Sequence, residues 1–211
     1  MSQSKKLFTV SNMVLIAMFG ALAFVLMFFE FPLPFLAPDF YKMDFSELPV
    51  LIGAFSMGPV AGVVIEAIKI VLKLAFKGTS TAYIGDLANF LVGCALVVPA
   101  GIIYQRYHTR KGAIIGMIAG TLFMAVAGAL LNAFLLLPWY IRNFFGGNAD
   151  ILFKAGQAIW KGINSIAAFA VLIVVPFNLF KAIVISIVTL LLYKHVSRLI
   201  NATLKKNEGK G

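Results

Sequence analysis

Charged side chains are scarce in this chain. Only 12% of its 211 residues are Asp, Glu, Lys or Arg, whereas 61% are apolar. A soluble domain carries about twice that charged fraction. The apolar runs also lack the ten-residue alternation that an outer-membrane barrel requires. The composition therefore predicts an all-α, polytopic membrane protein.

Side chains for catalysis or metal binding are equally scarce. The single cysteine, Cys94, excludes both a disulfide within one chain and a thiolate metal site. The two histidines, His108 and His195, flank apolar runs without a paired-acid or metal-ligand spacing, which makes a membrane enzyme a weak alternative. A G-x-x-x-x-G-K-[ST] motif is absent, so we expect no ATPase in this chain. We also expect no bound cofactor.

The net charge of +10 does not indicate nucleic-acid binding, because the cations gather at the ends of apolar runs. If the N-terminus is cytoplasmic, the inner segments hold twice as many Lys and Arg residues as the outer segments. This excess predicts that both termini are cytoplasmic, as an even number of spans requires. The inner cations are Lys5, Lys6, Arg106, Arg110, Lys111, Lys194, Arg198, Lys205, Lys206 and Lys210.

The apolar runs predict six transmembrane helices in a single membrane domain, residues 1–211. Prolines set several limits: we expect Pro138 to end the fifth helix and Pro176 to open the sixth. The apolar run before it, roughly Gly162–Val175, is then too short for a span of its own, so the segment over about 148–175 is predicted to be re-entrant or surface-lying. The predicted helices cover about 8–30, 48–58, 59–76, 85–105, 112–137 and 176–196, with an outer loop over 31–47.

Polar side chains within the apolar runs fall mostly in the outer half of the membrane. Asn89, Asn132, Asn178 and Lys181 belong to three different helices, and the last two are three residues apart, hence on one helical face. A lysine at mid-membrane costs about 2.5–3.5 kcal/mol on insertion scales, so such groups usually face a partner or a cavity. The pattern predicts a capture pocket open to the exterior.

Structural roles are alternatives for several of these residues. Asn132 and Asn178 would bond to each other across helices, and Glu66 and Lys69 would form a neutral pair. Lys73 would snorkel to the outer interface. The acids that precede the second helix, Asp44 and Glu47, would cap it, and Trp139 and Tyr140 would belong to an interfacial aromatic belt.

The chemistry of this pocket favours a neutral aromatic ligand. An Asn carboxamide offers a donor beside an acceptor, which matches a planar heterocycle with an N–H next to a C=O. The 20 phenylalanines supply apolar walls, whereas a phosphorylated ligand would need more cations, preferably arginine. A channel is disfavoured because the inner halves of the helices are nearly free of polar residues.

The motifs resemble those of the substrate-binding (S) components of energy-coupling-factor (ECF) vitamin transporters, most closely the riboflavin-specific family. The resemblance runs from the first helix to the last. The matching stretches are Ala21-Leu-Ala-Phe-Val-Leu-Met-Phe, Phe31-Pro-Leu-Pro-Phe-Leu, Met43-Asp-Phe-Ser-Glu-Leu-Pro, Met57-Gly-Pro-Val-Ala-Gly62, Ala88-Asn-Phe-Leu-Val-Gly93, Leu131-Asn-Ala-Phe-Leu-Leu-Leu-Pro138 and Pro176-Phe-Asn-Leu-Phe-Lys-Ala-Ile-Val-Ile-Ser186.

The resemblance implies uptake of riboflavin across the bacterial cell membrane by a six-helix protein. It implies that Asn132, Asn178 and Lys181 hydrogen-bond the isoalloxazine ring. The site would be lined or closed by Met43 and Asp44 of the first loop and by Asn89 with its neighbours on the fourth helix.

The resemblance also implies separate partner subunits: a transmembrane coupling subunit and two ATP-binding subunits. The small residues Ala17 and Ala21 on the first helix would dock the coupling subunit, although packing within this chain explains their spacing equally well. Lys42, Lys69 and Lys73 depart from the family pattern, which leaves flavin mononucleotide (FMN) as an additional ligand. An S component for another vitamin is the main competing hypothesis.

Overall fold

The computed structural model describes residues 9–208, with side chains described as far as Leu192. Within this range the chain folds into seven helices and one short hairpin, β1 with β2. Side-chain oxygens of Thr9, Thr109, Asn148 and Ser165 accept from backbone N–H groups at helix N-termini. The elements are α1 Val10–Phe28, β1 Phe31–Pro32, β2 Lys42–Met43, α2 Glu47–Met57, α3 Pro59–Lys77, α4 Ile84–Tyr107, α5 Arg110–Asn143, α6 Ala149–Gln157 and α7, residues 166–208.

Four of these helices are long and apolar enough to cross a membrane, in agreement with an all-α membrane protein. They are α1, α4, α5 and the part of α7 over Ile166–Leu192. The helix α2 has only 11 residues, and α3 carries several charged side chains, so a count of six spans stays a prediction. The orientation rests partly on Lys5, Lys6 and Lys210, outside the described residues, and on cations after Leu192 whose side chains are not described.

The short helix α2 lies at the centre of the bundle, where residues Glu47–Phe55 are all buried. The chain reverses between α2 and α3 at Gly58, whose φ of +103° suits glycine, and Pro59 then begins α3. Gly62 brings α3 against α2 and α4, because a Cβ there would lie 2.5 Å from Val97 Cγ1 and 2.8 Å from Ala54 Cβ. These helices form a first apolar core, which includes Ala54, Ala61 and Val97 and depends on their close approach.

Prolines do not end or open helices where the sequence predicted. The fifth helix continues past Pro138, and the last helix begins at Ile166, ten residues before Pro176. A π-helical turn precedes each proline: Leu137 N–H bonds to Asn132 O, and Val175 N–H bonds to Ala170 O. A proline ring normally collides with the carbonyl four residues earlier. The wider turn accommodates it, so the predictions for Pro138 and Pro176 were wrong.

The segment predicted over 148–175 is therefore divided between two elements. Its first part contains α6, and its last ten residues are the beginning of α7. Together they form a second apolar core with the outer loop, in which Ile163, Phe169 and Ile173 are fully buried. The hairpin fixes the loop in register, since Phe31 pairs with Met43 and Pro32 with Lys42. This second core covers one side of the loop.

Helices α4 and α5 form a tight antiparallel pair, because glycines of α5 let the two backbones come into direct contact. A Cβ at Gly116 would lie 2.7 Å from Ala100 O, and a Cβ at Gly120 would lie 2.2 Å from Leu96 O. Because these contacts are with backbone, side-chain movement cannot relieve them. The glycines let α4 and α5 bring their polar residues close together.

We predict that Gly120→Ala lowers the stability of the detergent-solubilised protein by about 1–3 kcal/mol, the usual cost of overpacking. Thermal unfolding measures this, and Ile118→Leu on the exposed face of the same helix is the control. An unfolding midpoint equal to that of the control would contradict the close packing of α4 on α5.

Candidate functional site

A cavity of about 170 Å³ lies between the outer loop and the ends of four helices. Its wall combines aromatic rings with amides and charged groups. The helices α4, α5 and α7 each contribute residues three or four positions apart, as one helical face requires. The lining residues are Phe40, Tyr41 and Lys42 of the loop, Glu47 of α2, Gly85, Ala88, Asn89 and Val92 of α4, Met124, Asn132, Leu136 and Tyr140 of α5, and Phe177, Asn178 and Lys181 of α7.

The two buried amides, Asn132 and Asn178, meet at Gly128. Asn132 Nδ2 donates to Gly128 O at 2.8 Å, and a Cβ at Gly128 would lie 2.4 Å from Asn178 Nδ2. Asn178 Nδ2 donates to Val174 O at 3.0 Å, within the π-helical turn. Each amide thus donates to its own helix rather than to its neighbour. The alternative of a mutual bond is not what the structure has.

Tyr41 of the outer loop reaches into the cavity. Its hydroxyl donates to Asn132 Oδ1, and its ring lies 5.5 Å from that of Phe177. Burial raises the pKa of the Tyr41 hydroxyl well above its ordinary value, so this group is a donor at neutral pH. Phe40 continues the aromatic cover, with its ring 4.9 Å from Tyr41 and 6.2 Å from Tyr140. The loop therefore closes the cavity with aromatic rings.

Lys181 is buried and pairs with Asp44 of the loop at 3.0 Å. Asp44 also accepts from Ser46 N–H at 2.8 Å. Burial opposes ionisation of Asp44, but Lys181, Lys69 and Ser46 together hold its pKa below the usual value. The acid that compensates Lys181 is thus distant in sequence, and it links α7 directly to the loop.

Lys69 is the centre of a second charged group, which we term the acid–lysine cluster: Glu47, Glu66 and Lys69. Its Nζ lies 2.9 Å from Glu47 Oε1, 2.5 Å from Glu66 Oε1 and 3.3 Å from the hydroxyl of Ser46. The side chains of all three members are at most 2% exposed. Because Glu47 also lines the cavity, the cluster forms part of its inner wall.

The other predicted polar residues lie around the cavity or close to it. Asn89 lines the wall, and its buried Oδ1 has no hydrogen-bond donor among the described residues. Lys73 pairs with Asp86 at the start of α4 instead of reaching the interface. Tyr140 is a wall residue, although the sequence favoured an interfacial position for it. Trp139 is partly buried beside it.

The loop is held from outside by ion pairs at Glu30. Glu30 Oε1 lies 3.0 Å from Lys42 Nζ and 2.6 Å from Lys77 Nζ. Burial opposes its ionisation, but the two lysines outweigh burial and lower its pKa. Met43, at the end of the hairpin, is 2% exposed in the core beneath the loop. Met43 and Asp44 do not line the cavity themselves: Met43 packs in the second core, and Asp44 contacts the cavity wall through Lys181. Their role in closing the site stays a prediction.

On the first helix, Ala17 and Ala21 are both exposed. The adjoining face buries Ile16, Gly20 and Ala23 against the bundle, and Gly20 contacts Ile68 of α3. The small residues that were candidates for docking a partner thus point away from this chain. Packing within the chain, the other explanation of their spacing, uses Gly20 instead.

Comparison of the sequence with known protein families identifies the family of this chain. Residues 11–193 match the family of ECF transporter, substrate-specific component. The chain belongs to this family. The substrate-specific (S) component is a transporter subunit and not an enzyme. Among the described side chains, His, Cys, Asp and Glu also form no group of three that could hold a metal ion.

Individual relatives are similar in sequence to this S component along almost its whole length. The riboflavin transporter RibU of Staphylococcus aureus is 37% identical over 200 residues, which cover 95% of this chain and 94% of the relative. The riboflavin transporter FmnP of Bacillus subtilis is 33% identical and covers 87% and 90%. A solved structure of the S component of a bacterial ECF transporter superposes with a TM-score of 0.68 at 34% identity, covering 89% and 96% of the two chains.

Four of the six predicted ligand-binding residues line the cavity of this S component: Asn89, Asn132, Asn178 and Lys181. Sequence reasoning missed Tyr41 and Glu47 as wall residues. The signal for Glu47 was the acid spacing Asp44…Glu47 beneath a loop, together with Glu66 and Lys69 three residues apart. Tyr41 had no comparable signal, because one tyrosine in an aromatic-rich loop does not reveal which way it points.

We predict that Lys181→Met destabilises the protein by about 3–5 kcal/mol, since it leaves Asp44 buried without its partner. The double variant Lys181→Met/Asp44→Asn should recover most of this loss. Thermal unfolding of both variants and of Asp44→Asn completes the cycle. Additive losses in the double variant would contradict a direct ion pair between the loop and α7.

Proposed function

We propose that this S component binds riboflavin at the outer side of the bacterial cell membrane and delivers it inward when coupled to an ATP-driven ECF module. The observation that carries the proposal is the amide-lined cavity beneath the loop, in a chain that is 37% identical to a riboflavin transporter over nearly its whole length. A cavity with apolar walls and a few convergent polar groups is the usual form of a small-molecule site.

The isoalloxazine ring would lie between the amides of α5 and α7. Its carbonyl and N–H groups alternate along one edge, and Asn132 and Asn178 each offer an acceptor and donors. Asn89 Oδ1 offers a further buried acceptor. The ring faces would contact the aromatic residues Phe40, Tyr140 and Phe177. These contacts would compensate polar atoms that are costly to bury in a membrane protein.

Entry of the isoalloxazine ring would require the Tyr41 hydroxyl to release its hydrogen bond to Asn132. The hydroxyl bonds to Asn132 Oδ1, so a ring N–H that uses this oxygen must displace it. The loop that carries Tyr41 is held by exposed ion pairs at Glu30 and by the Asp44–Lys181 pair. Exposed pairs contribute little to stability. The loop around Tyr41 would therefore open by release of the pairs at Glu30, with the buried Asp44–Lys181 pair kept, and would admit the vitamin without unfolding the bundle.

We further propose six transmembrane helices with both termini in the cytoplasm. The charges on α3 do not prevent it from crossing the membrane, because Glu66 and Lys69 are fully buried and Lys73 is paired with Asp86. The helix α2 is surrounded by protein along most of its length. The exposed face of α1 with Ala17 and Ala21 would dock the transmembrane coupling subunit, and two ATP-binding subunits would supply the energy.

Asn132→Ala and Asn178→Ala should each weaken riboflavin binding by about 1 kcal/mol or more, roughly a fivefold rise in Kd, because each leaves a polar group of the ring unpaired. Quenching of riboflavin fluorescence by the purified protein measures Kd. Asn143→Ala is the matched control, since Asn143 is exposed and bonds to Trp139 O. Wild-type affinity in both cavity variants would restrict these amides to packing.

FMN should bind at least about tenfold more weakly than riboflavin, because a phosphate would need a free cation to compensate it. Lys181 and Lys42 in the cavity wall are each paired with an acid. Competition between FMN and riboflavin in the same quenching assay gives the ratio. Equal or tighter binding of FMN would identify it as a main ligand and would contradict a cavity suited to the neutral vitamin.

A further inference from the structure

The acid–lysine cluster contains one negative charge too many. Lys69 faces two carboxyl groups, Glu47 and Glu66, whereas the other buried lysine of this region, Lys181, already has Asp44. All of these side chains are at most 6% exposed. A buried charge without compensation is strongly unfavourable, and inside a membrane protein it has no access to bulk water. Three ionised acids with two lysines would leave such a charge.

The two carboxyl groups of the cluster meet each other at Gly93 of α4. A Cβ at Gly93 would lie 2.4 Å from Glu66 Oε1 and 3.1 Å from Glu47 Oε2. Both oxygen atoms therefore rest on the same patch of bare backbone, and the two groups are within hydrogen-bonding reach of each other. Two ionised carboxylates at this distance would repel each other, as carboxyl pairs with a common site do.

Unsatisfied oxygen atoms mark the same place. Glu47 Oε2 and Glu66 Oε2 are buried and have no hydrogen-bond donor among the residues that the structure describes. Buried polar atoms of native proteins are almost always paired. A protonated carboxyl group is itself a hydrogen-bond donor. With a single proton between Glu47 and Glu66, the protonated group would donate a hydrogen bond and the ionised group would accept it. The same proton would bring the cluster to neutrality.

We propose that Glu47 and Glu66 share one proton and form, with Lys69, a neutral proton-binding site in the inner wall of the cavity. The proton belongs to the pair rather than to either residue. The charged or titratable groups around it are Lys69 on the same helix, Asp44 and Glu47 from the loop and α2, Cys94 from α4 and Lys181 from α7.

The proton site gives Glu66 and Lys69 a positioning role. Lys69 and Glu66 hold the carboxyl group of Glu47 at the first turn of α2, where the Glu47 side chain lines the cavity. Lys69 also contacts Ser46, next to the loop. The neutral wall adds no net charge to the cavity. This inference concerns the resting protein and does not depend on which vitamin is bound.

Infrared spectroscopy of the full-length protein tests the inference directly. The wild-type protein at neutral pH should show the C=O stretch of a protonated carboxyl group, and labelling with ¹³C-glutamate should shift this band. The band should be lost in both Glu47→Gln and Glu66→Gln, because each variant leaves one carboxylate that can ionise opposite Lys69. A wild-type spectrum without a protonated glutamate at neutral pH would overturn the proposal.

Unfolding midpoints give an independent test. Each single glutamine variant keeps the cluster neutral and should unfold within about 4 °C of the wild type, the shift for about 1 kcal/mol in a chain of this size. Glu47→Gln/Glu66→Gln leaves Lys69 uncompensated and should lower the midpoint by roughly 10 °C. Adding Lys69→Met should recover it. A clear rise of the midpoint in Glu66→Gln would mean that both acids are ionised and would also overturn the proposal.

Discussion

Compensation of buried charge is the constraint on which the structure depends. Lysines cannot be solvated inside a bundle that faces lipid, so each must lie against an acid from another element. Lys181 on α7 is held by Asp44 of the loop, and Lys69 on α3 is held by Glu47 of α2 as well as by Glu66. These pairs join elements that are far apart in sequence. They also fix where the loop ends and where the central helix begins.

The same pairs shape the cavity. With the lysines occupied, the polar groups that remain for a ligand are chiefly amides, and amides on two facing helices suit a planar heterocycle. The π-helical turns contribute here too, because one begins at Asn132 and the other supplies the carbonyl that binds Asn178. Such turns are frequent at functional sites. In this S component the two π-helical turns therefore lie where they orient the side chains of Asn132 and Asn178 toward the cavity.

Much of this arrangement could be predicted from the sequence, and the remainder has physical reasons. Hydropathy located α1 to α4 and the beginning of α5, and the outer positions of Asn132, Asn178 and Lys181 predicted that they would come together. Proline misled because its usual effect assumes a regular α-helix, whereas a π-helical turn admits it. The partner of Lys181 could not be identified, since Asp44 lies 137 residues away. Contacts of such range depend on tertiary packing, which periodicity does not record.

The most direct measurement is an experimental structure of this protein with riboflavin. The account predicts an isoalloxazine ring between Asn132 and Asn178, with Tyr41 displaced from Asn132 Oδ1 and the acid–lysine cluster unchanged behind it. A ring found outside this cavity, or a ring inside it that makes no hydrogen bond to either amide, would contradict the account.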